Sequence, residues 1–303
     1  MIRLENITCT FGSLRAVDNV SLRIRRGAVT ILAGADGAGK STLFRILAGL
    51  TGRDGGRIYL DEREVEPGTP ELRDRLGYMP ERFSLYPDLS VEENLNFFAD
   101  IHRVPRKRRE ERKDRLLGKT GMQDFRGRRA GALSGGMKQK LALSTILLSS
   151  PELIILDEPT TGVDPLSRLE FLAIIRELKE EGKTIVMATP YLDEAEKGDY
   201  VIMLKEGRVL HQAAMDAVKR DFPARLVQAR PGGDVIAAYR GLCDLPGMRE
   251  RAYLKGPVIR ILLDREGPLP RGMETLHLEP AEPSLEDIFI YYDRLGGNHG
   301  TGH

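Results

Sequence analysis

Residues 34–42 read GADGAGKST, and their types and spacing are those of an anion cradle. Gly34 is followed by four residues and then by Gly39, Lys40 and Ser41, the pattern of a P-loop that binds a nucleoside triphosphate. Glycines let the backbone turn tightly and aim successive N–H groups at phosphate oxygens, while the N-terminus of the following helix adds the positive end of its dipole. Lys40 would reach the β- and γ-phosphates as a point charge, and the Ser41 hydroxyl would bind Mg²⁺.

A second chemical pair follows at Asp157 and Glu158, delivered at the end of the apolar run Leu153, Ile154, Ile155, Leu156. Such a run reads as a buried parallel strand, whose carboxyl end is where ligands bind in α/β sheets. In P-loop enzymes the first of two such carboxylates holds Mg²⁺ and the second orients or deprotonates the attacking water. Between the two pairs lies LSGGMKQK at residues 133–140, where Ser134 reads as an N-cap and two glycines leave the helix N–H groups unshielded for an anion. Phe11 falls just after the first strand, where its ring could stack on a base or fill a core.

The elements that must position these groups can be read from periodicity. Strands are predicted at residues 2–11, 20–24, 29–33 and 57–60, and a helix at 43–50. From 67 to 133 the strand signal gives way to helical patterns, with a capping box at Ser90 to Glu93. The basic run 103–115 is read as a solvated helix face, with Glu111 and Arg115 as an i,i+4 pair. Asp164 and Pro165 cap and start a helix with Leu166, Leu169, Leu172, Ile175 and Leu178 inward. A strand at 184–188 follows, then Thr189 and Pro190 as N-cap and N1 of a further helix carrying Asp193 and Glu194, then a hairpin over 201–210. Strands alternating with helices give an α/β fold with a mostly parallel sheet core, antiparallel N-terminal strands and a helical subdomain at about 67–150.

Beyond residue 212 a small α+β domain is expected, with strands near 226–229, 251–254, 258–263 and 275–278, helices near 234–242 and 284–295, and a disordered tail over 296–303. The division expected is thus 1–212 and 213–303. Lys and Arg number 46 against 45 Asp and Glu, so the net charge of +1 gives no reason to expect a nucleic-acid or membrane surface. Cys9 and Cys243, far apart and without metal-ligand neighbours, are read as core residues of a protein in a reducing compartment. No apolar run reaches the ~18–20 residues that cross a bilayer, so a cytosolic protein is expected, with any membrane role supplied by a partner.

Taken in order, GADGAGKST (Walker A), LSGGMKQK (the signature), LIILDEP at 153–159 (Walker B) and Thr161-Gly162-Val163-Asp164 (the D-loop) resemble the ATP-binding cassette ATPase, the nucleotide-binding subunit of ABC transporters. The stretch PSLEDIF at 283–289 is similar to the end of the drug-exporter-like branch, whose ATPases pair with separate ABC-2-type permeases. The resemblance implies that two cassettes, in a homo- or heterodimer, bind head to tail around ATP. Phe11 would then stack on adenine, Gly34, Gly37, Ala38, Gly39, Lys40, Ser41 and Thr42 would hold the phosphates, and Ser134, Gly135 and Gly136 would close on the γ-phosphate of the partner's site. It implies Mg²⁺ at Ser41 and Asp157, Glu158 as the base, and a permease, docked near residues 81–100, that would hold the protein on the inner face of the membrane.

Two positions depart from the family pattern. Glu81 stands where a glutamine is usual after GYMP, and its carboxylate would serve as a metal ligand in place of the amide. Pro190 stands at the switch histidine, and proline has neither imidazole nor backbone N–H to contact a γ-phosphate. The chain's own site is therefore expected to be slow, with Thr189 or Tyr191 as substitutes for the missing side chain. Two alternatives stay open: a degenerate regulatory cassette in an asymmetric pair, and a soluble non-transport ABC ATPase acting on DNA or ribosomes. The 94 positions from Lys40 to Ser134, without heptads, disfavour the second.

Overall fold

Alternation of Ile2, Leu4 and Ile7 puts one face of β1 (Ile2–Phe11) into a core, and β2 (Leu14–Ile24) pairs with it antiparallel, Ile2 opposite Ile24 and Leu4 opposite Leu22. In the computed structural model, which describes residues 1–82, 85–270, 273 and 276–296, a fully buried strand β3 (Val29–Ala33) then leads into α1 (Lys40–Leu47). Next come β4 (Gly55–Leu60), β5 (Arg63–Glu64), α2 (Pro70–Arg73) and β6 (Leu76–Met79). The helices α3 (Val91–Ile101), α4 (Arg106–Thr120) and α5 (Gly135–Leu147) precede β7 (Leu153–Asp157), α6 (Pro165–Glu180) and β8 (Thr184–Thr189). A short α7 (Leu192–Ala195) and the hairpin of β9 (Tyr200–Lys205) with β10 (Arg208–Ala214) follow, its turn made by Glu206 and Gly207 at φ 49° and 78°.

The strands form an antiparallel sheet in the order β2-β1-β4-β5 and a six-stranded sheet in the order β10-β9-β3-β8-β7-β6. Within the second sheet β3 runs parallel to both β8 and β9, β7 to β8, and β6 to β7. The carboxyl ends of β3, β6, β7 and β8 therefore open on one edge. Leu43, Phe44 and Leu47 on α1 pack with Ile2, Leu4, Leu22, Ile58 and Leu60 of the first sheet and Leu32, Ile155 and Val186 of the second. Burying a ring such as Phe44 contributes on the order of 2–3 kcal/mol, so α1 is anchored by its apolar face and its N-terminus is placed by the loop before it.

Leu210–His303 form a second compact unit, apart from Met1–Val209. It holds α8 (Met215–Arg220), β11 (Ala224–Ala229), α9 (Val235–Cys243), α10 (Met248–Arg251), β12 (Ala252–Lys255), β13 (Val258–Asp264), β14 (Leu278–Pro280) and α11 (Leu285–Arg294). The sheet β12-β13-β11-β14 is antiparallel and packs Val227, Ile259, Ile261 and Leu263 against Leu242 and Met248. His211 stacks on Tyr292, ring centroids 4.3 Å apart and 10° from parallel, and burial pushes its pKa below the ordinary imidazole value. The folded state thus favours neutral His211. The unfolded chain takes up its proton first as pH falls below about 6.5, and stability is lost from there downward. Thermal melts between pH 7 and 5 should show a larger drop for the wild type than for His211→Phe, which keeps the stack without the titration.

Several expectations change. Residues 76–79 are a strand, although the sequence there reads as helical, because β6 is a four-residue strand held by pairing with β7. Leu172, Ile175 and Leu178 are buried as expected, with Phe171 and Ile174 beside them, but Leu166 and Leu169 are exposed. Lys113 is not solvated: it is buried, donates to Asn96 at 2.8 Å and pairs with Glu92 and Glu110, while Arg115 pairs with Glu181 at 3.0 Å and not with Glu111. Thr189 ends β8, and the N-cap of α7 is Tyr191. Cys9 is buried as expected, but Cys243 is half-buried. Residue 275 of the expected strand 275–278 and residues 297–303 of the expected tail lie outside the described residues, and the strand observed there, β14, begins only at Leu278.

Candidate functional site

The loop from β3 to α1 is fixed by contacts that only glycine permits. Gly39 has φ 98°, and a Cβ there would sit 2.4 Å from the Ala16 carbonyl oxygen. With Gly34, Gly37 and Ala38 it brings residues 34–42 round the N-terminus of α1, where Ser41 and Thr42 stand half-buried on the first turn. Lys40 is 4% exposed, and its Nζ donates to the carbonyls of Gly34 at 2.8 Å and Ala35 at 3.1 Å. The same Nζ lies 3.3 Å from Glu158 Oε1. A buried ammonium held by carbonyls costs desolvation that a bound polyphosphate would offset far better.

From the other side, β7 delivers Asp157, 1% exposed, whose Oδ1 accepts from Ser41 Oγ at 3.0 Å. Burial raises the Asp157 pKa above the ordinary carboxylate value; the Ser41 hydrogen bond opposes this, and the charges of Glu158 and Glu81 reinforce it. The structure therefore brings Lys40, Ser41, Asp157 and Glu158 together. It puts exposed Glu81, after β6, within electrostatic reach of Asp157. Glu158 is strained at φ 51°, its N–H donates to Ala188 O at 3.1 Å, and its Oε2 accepts from Thr161 Oγ1 at 3.3 Å.

A hydroxyl and carboxylate oxygens are hard donors of the kind Mg²⁺ takes. No group of three or more His, Cys, Asp or Glu among the described residues could hold a metal alone.

Phe11 is 50% exposed and so does not belong to the core. Ser134 caps α5 by accepting from Met137 N at 3.3 Å; it and Gly135 are exposed. Gly136 is buried against α6, where a Cβ would lie 2.4 Å from that of Ser167, so this glycine is demanded by packing as well. A cleft of about 440 Å³ runs from Glu81 and Arg82 to Gly135 and Gln139. Beside it Tyr86, Phe97 and Phe98 form an aromatic cluster, with Tyr86 and Phe97 4.5 Å apart.

Pro190 is exposed. Of the two expected substitutes, Thr189 is fully buried, donating to Glu194 Oε2 at 2.7 Å and accepting from Tyr191 N, and the half-buried Tyr191 has its ring under the Arg168 guanidinium at 3.9 Å. Sequence reasoning also missed Tyr78, whose hydroxyl donates to Asp157 Oδ2 at 3.4 Å and whose pKa burial pushes up to about 12. The run Leu76, Tyr78 on a strand pairing with β7 could have signalled it, had that strand been recognised.

The profile of the family described as "ABC transporter" matches residues 17–161. The chain is 39% identical over 289 residues to the probable multidrug ABC transporter ATP-binding protein YbhF of Escherichia coli, covering 93% of this chain and 49% of that protein. It thus spans about half the length of that relative. It is 31% identical to the daunorubicin resistance ATP-binding protein DrrA3 of Streptomyces coeruleorubidus, covering 96% and 95% of the two chains. Among solved structures it is similar to a dimeric ATP-binding cassette in a post-hydrolysis state bound to ADP and Pi, with a TM-score of 0.63 and 28% identity, covering 71% of this chain and 99% of that one. No helix among the described residues is long and apolar enough to cross a membrane.

Proposed function

The chain belongs to the ABC transporter family, as a member of its ATP-binding cassettes, and from that membership we propose that it binds ATP with Mg²⁺ and hydrolyses it to drive an exporter. The observation that carries this reading is the convergence of Lys40, Ser41, Asp157 and Glu158 on one strand edge. In it, residues 34–42 hold the phosphates, Lys40 leaves its carbonyl partners for the β- and γ-oxygens, and Phe11 stacks on adenine. Ser41 and Asp157 hold Mg²⁺, with Glu81 as a further acidic ligand. Bound there, Mg²⁺ would supply positive charge that offsets the charge developing on the phosphates. Glu158 orients the attacking water and accepts its proton, and the Thr161 hydroxyl fixes the carboxylate for that task.

A second cassette, identical or different, would close its LSGG on this site, and Ser134, Gly135 and Gly136 would serve the partner's site in return. The dimeric relative and the exposure of Ser134 and Gly135 support this. A separate membrane permease of the ABC-2 type would dock on the aromatic cluster beside the cleft, holding the subunit on the inner face of the membrane. The names of the two curated relatives favour a drug as cargo.

Pro190 supports one refinement: the chain's own site is slow, because proline offers no side-chain donor to the γ-phosphate and the Thr189 hydroxyl is held by Glu194. A regulatory cassette in an asymmetric pair is the limiting form of the same idea. The ATPase rate of purified protein should be well below a typical 10 s⁻¹ and should rise in Pro190→His. A rate as high as typical enzymes, unchanged by histidine, would contradict the refinement.

A further inference from the structure

Glu194 opens α7 as one of two acidic residues at a helix start, a place where a carboxylate is ordinarily solvated. Here it is 1% exposed and is tied to three elements at once. Its Oε2 accepts from Thr160 Oγ1 at 2.9 Å and from Thr189 Oγ1 at 2.7 Å, and its Oε1 lies 3.2 Å from Arg168 Nε. Thr160 belongs to the turn after Glu158, Thr189 to the end of β8 and Arg168 to the first turns of α6. Thr160 is itself fully buried, and its carbonyl accepts from Val163 N at 3.2 Å. The next residue, Thr161, holds the Glu158 carboxylate through its hydroxyl and donates its N–H to the Glu158 carbonyl at 3.2 Å.

A buried carboxylate that accepts two hydroxyl protons is costly to break, because both hydroxyls would be left unsatisfied in a buried site. Thr160 is the partner closest in sequence to Glu158, and no other side-chain bond of Thr160 competes with Glu194 for it. We propose that Glu194 is a positioning residue which, through Thr160 and Thr189, clamps the turn at residues 158–164 to the end of β8 and so sets the aim of Glu158. The clamp also supplies a mechanical link between the β8–α7 junction and the Glu158 turn in a chain whose residue 190 has no side-chain donor. The inference rests on the proposed ATP hydrolysis for its kinetic consequence, and on geometry alone for the clamp itself.

Thr160→Val keeps shape and removes the hydroxyl, and Thr160→Ser restores it. Amide exchange of the ATP-free full chain should quicken at least tenfold at the N–H groups of Thr161 and Val163 in Thr160→Val, with Ile154 and Ile155 of β7 unchanged, and recover in Thr160→Ser. Single-turnover hydrolysis should slow about tenfold in Thr160→Val while the ATP dissociation constant stays within twofold, and Thr160→Ser should regain most of the rate. Unchanged exchange would overturn the clamp. Quickened exchange with an unchanged rate would also overturn the positioning role and leave a packing contact. A wild type that binds ATP but never hydrolyses it would sink the proposed activity instead, and the exchange result would then decide the clamp by itself.

Discussion

Glu158→Gln should bind ATP within about threefold of the wild type and hydrolyse it at least 10²-fold more slowly in single turnover, the range a positioned general base contributes. Glutamine has the same shape, keeps an oxygen to accept from Thr161 Oγ1, and leaves Lys40 with its two carbonyl partners. What it loses is the proton acceptor. Removing the negative charge 3.3 Å from Lys40 Nζ also frees the ammonium for phosphate, so binding should not weaken. Rapid-quench measurement of phosphate release beside equilibrium binding separates the two effects. A variant that hydrolyses like the wild type would remove Glu158 from the chemistry.

Gly39→Ala should lose most nucleotide binding and about 3 kcal/mol of stability, through two effects that add. The backbone at φ 98° is strained for any residue with a Cβ, and that Cβ would press to 2.4 Å on the Ala16 carbonyl in β2. Ala16 cannot yield cheaply, because its neighbours Arg15 and Val17 are paired with Thr10 and Cys9. Gly37→Ala is the informative comparison. Its φ of 78° carries strain of about 1–2 kcal/mol, but nothing lies within 4 Å of the added Cβ. Melting curves and ATP titrations should place Gly37→Ala between wild type and Gly39→Ala; equal losses in the two variants would refute the steric part of the argument.

The contrast between those glycines also marks what sequence can and cannot carry. The loop before α1 was legible because its chemistry is local: glycines, a lysine and a hydroxyl at fixed spacing between an apolar run and a helix. The same holds for Ser90, whose capping box with Glu93 is present as both bonds, and for β7, whose unbroken apolar run has no place but a buried parallel strand. What stayed hidden depends on partners distant in the chain. A four-residue strand such as β6 exists because β7 offers it a ladder. Lys113 lies in a basic run that reads as solvated, yet Glu92 and Asn96 from α3 draw it into the interior.

The Thr189-Pro190 pair fits the rule for a helix start, but β8 extends through Thr189 to pair with Ala33, and the buried hydroxyl turns to Glu194. The face of α6 was misjudged for a related reason. Leu166 and Leu169 continue a helical stripe in the sequence, but both are exposed, and only from Phe171 onward is the apolar face covered.

The most direct test of the account is equilibrium ATP binding by the full chain, with and without Mg²⁺, beside Lys40→Ala. The wild type should bind saturably and more tightly with Mg²⁺, and Lys40→Ala should lose at least tenfold in affinity. Equal binding by the two proteins, or none by the wild type, would contradict the account.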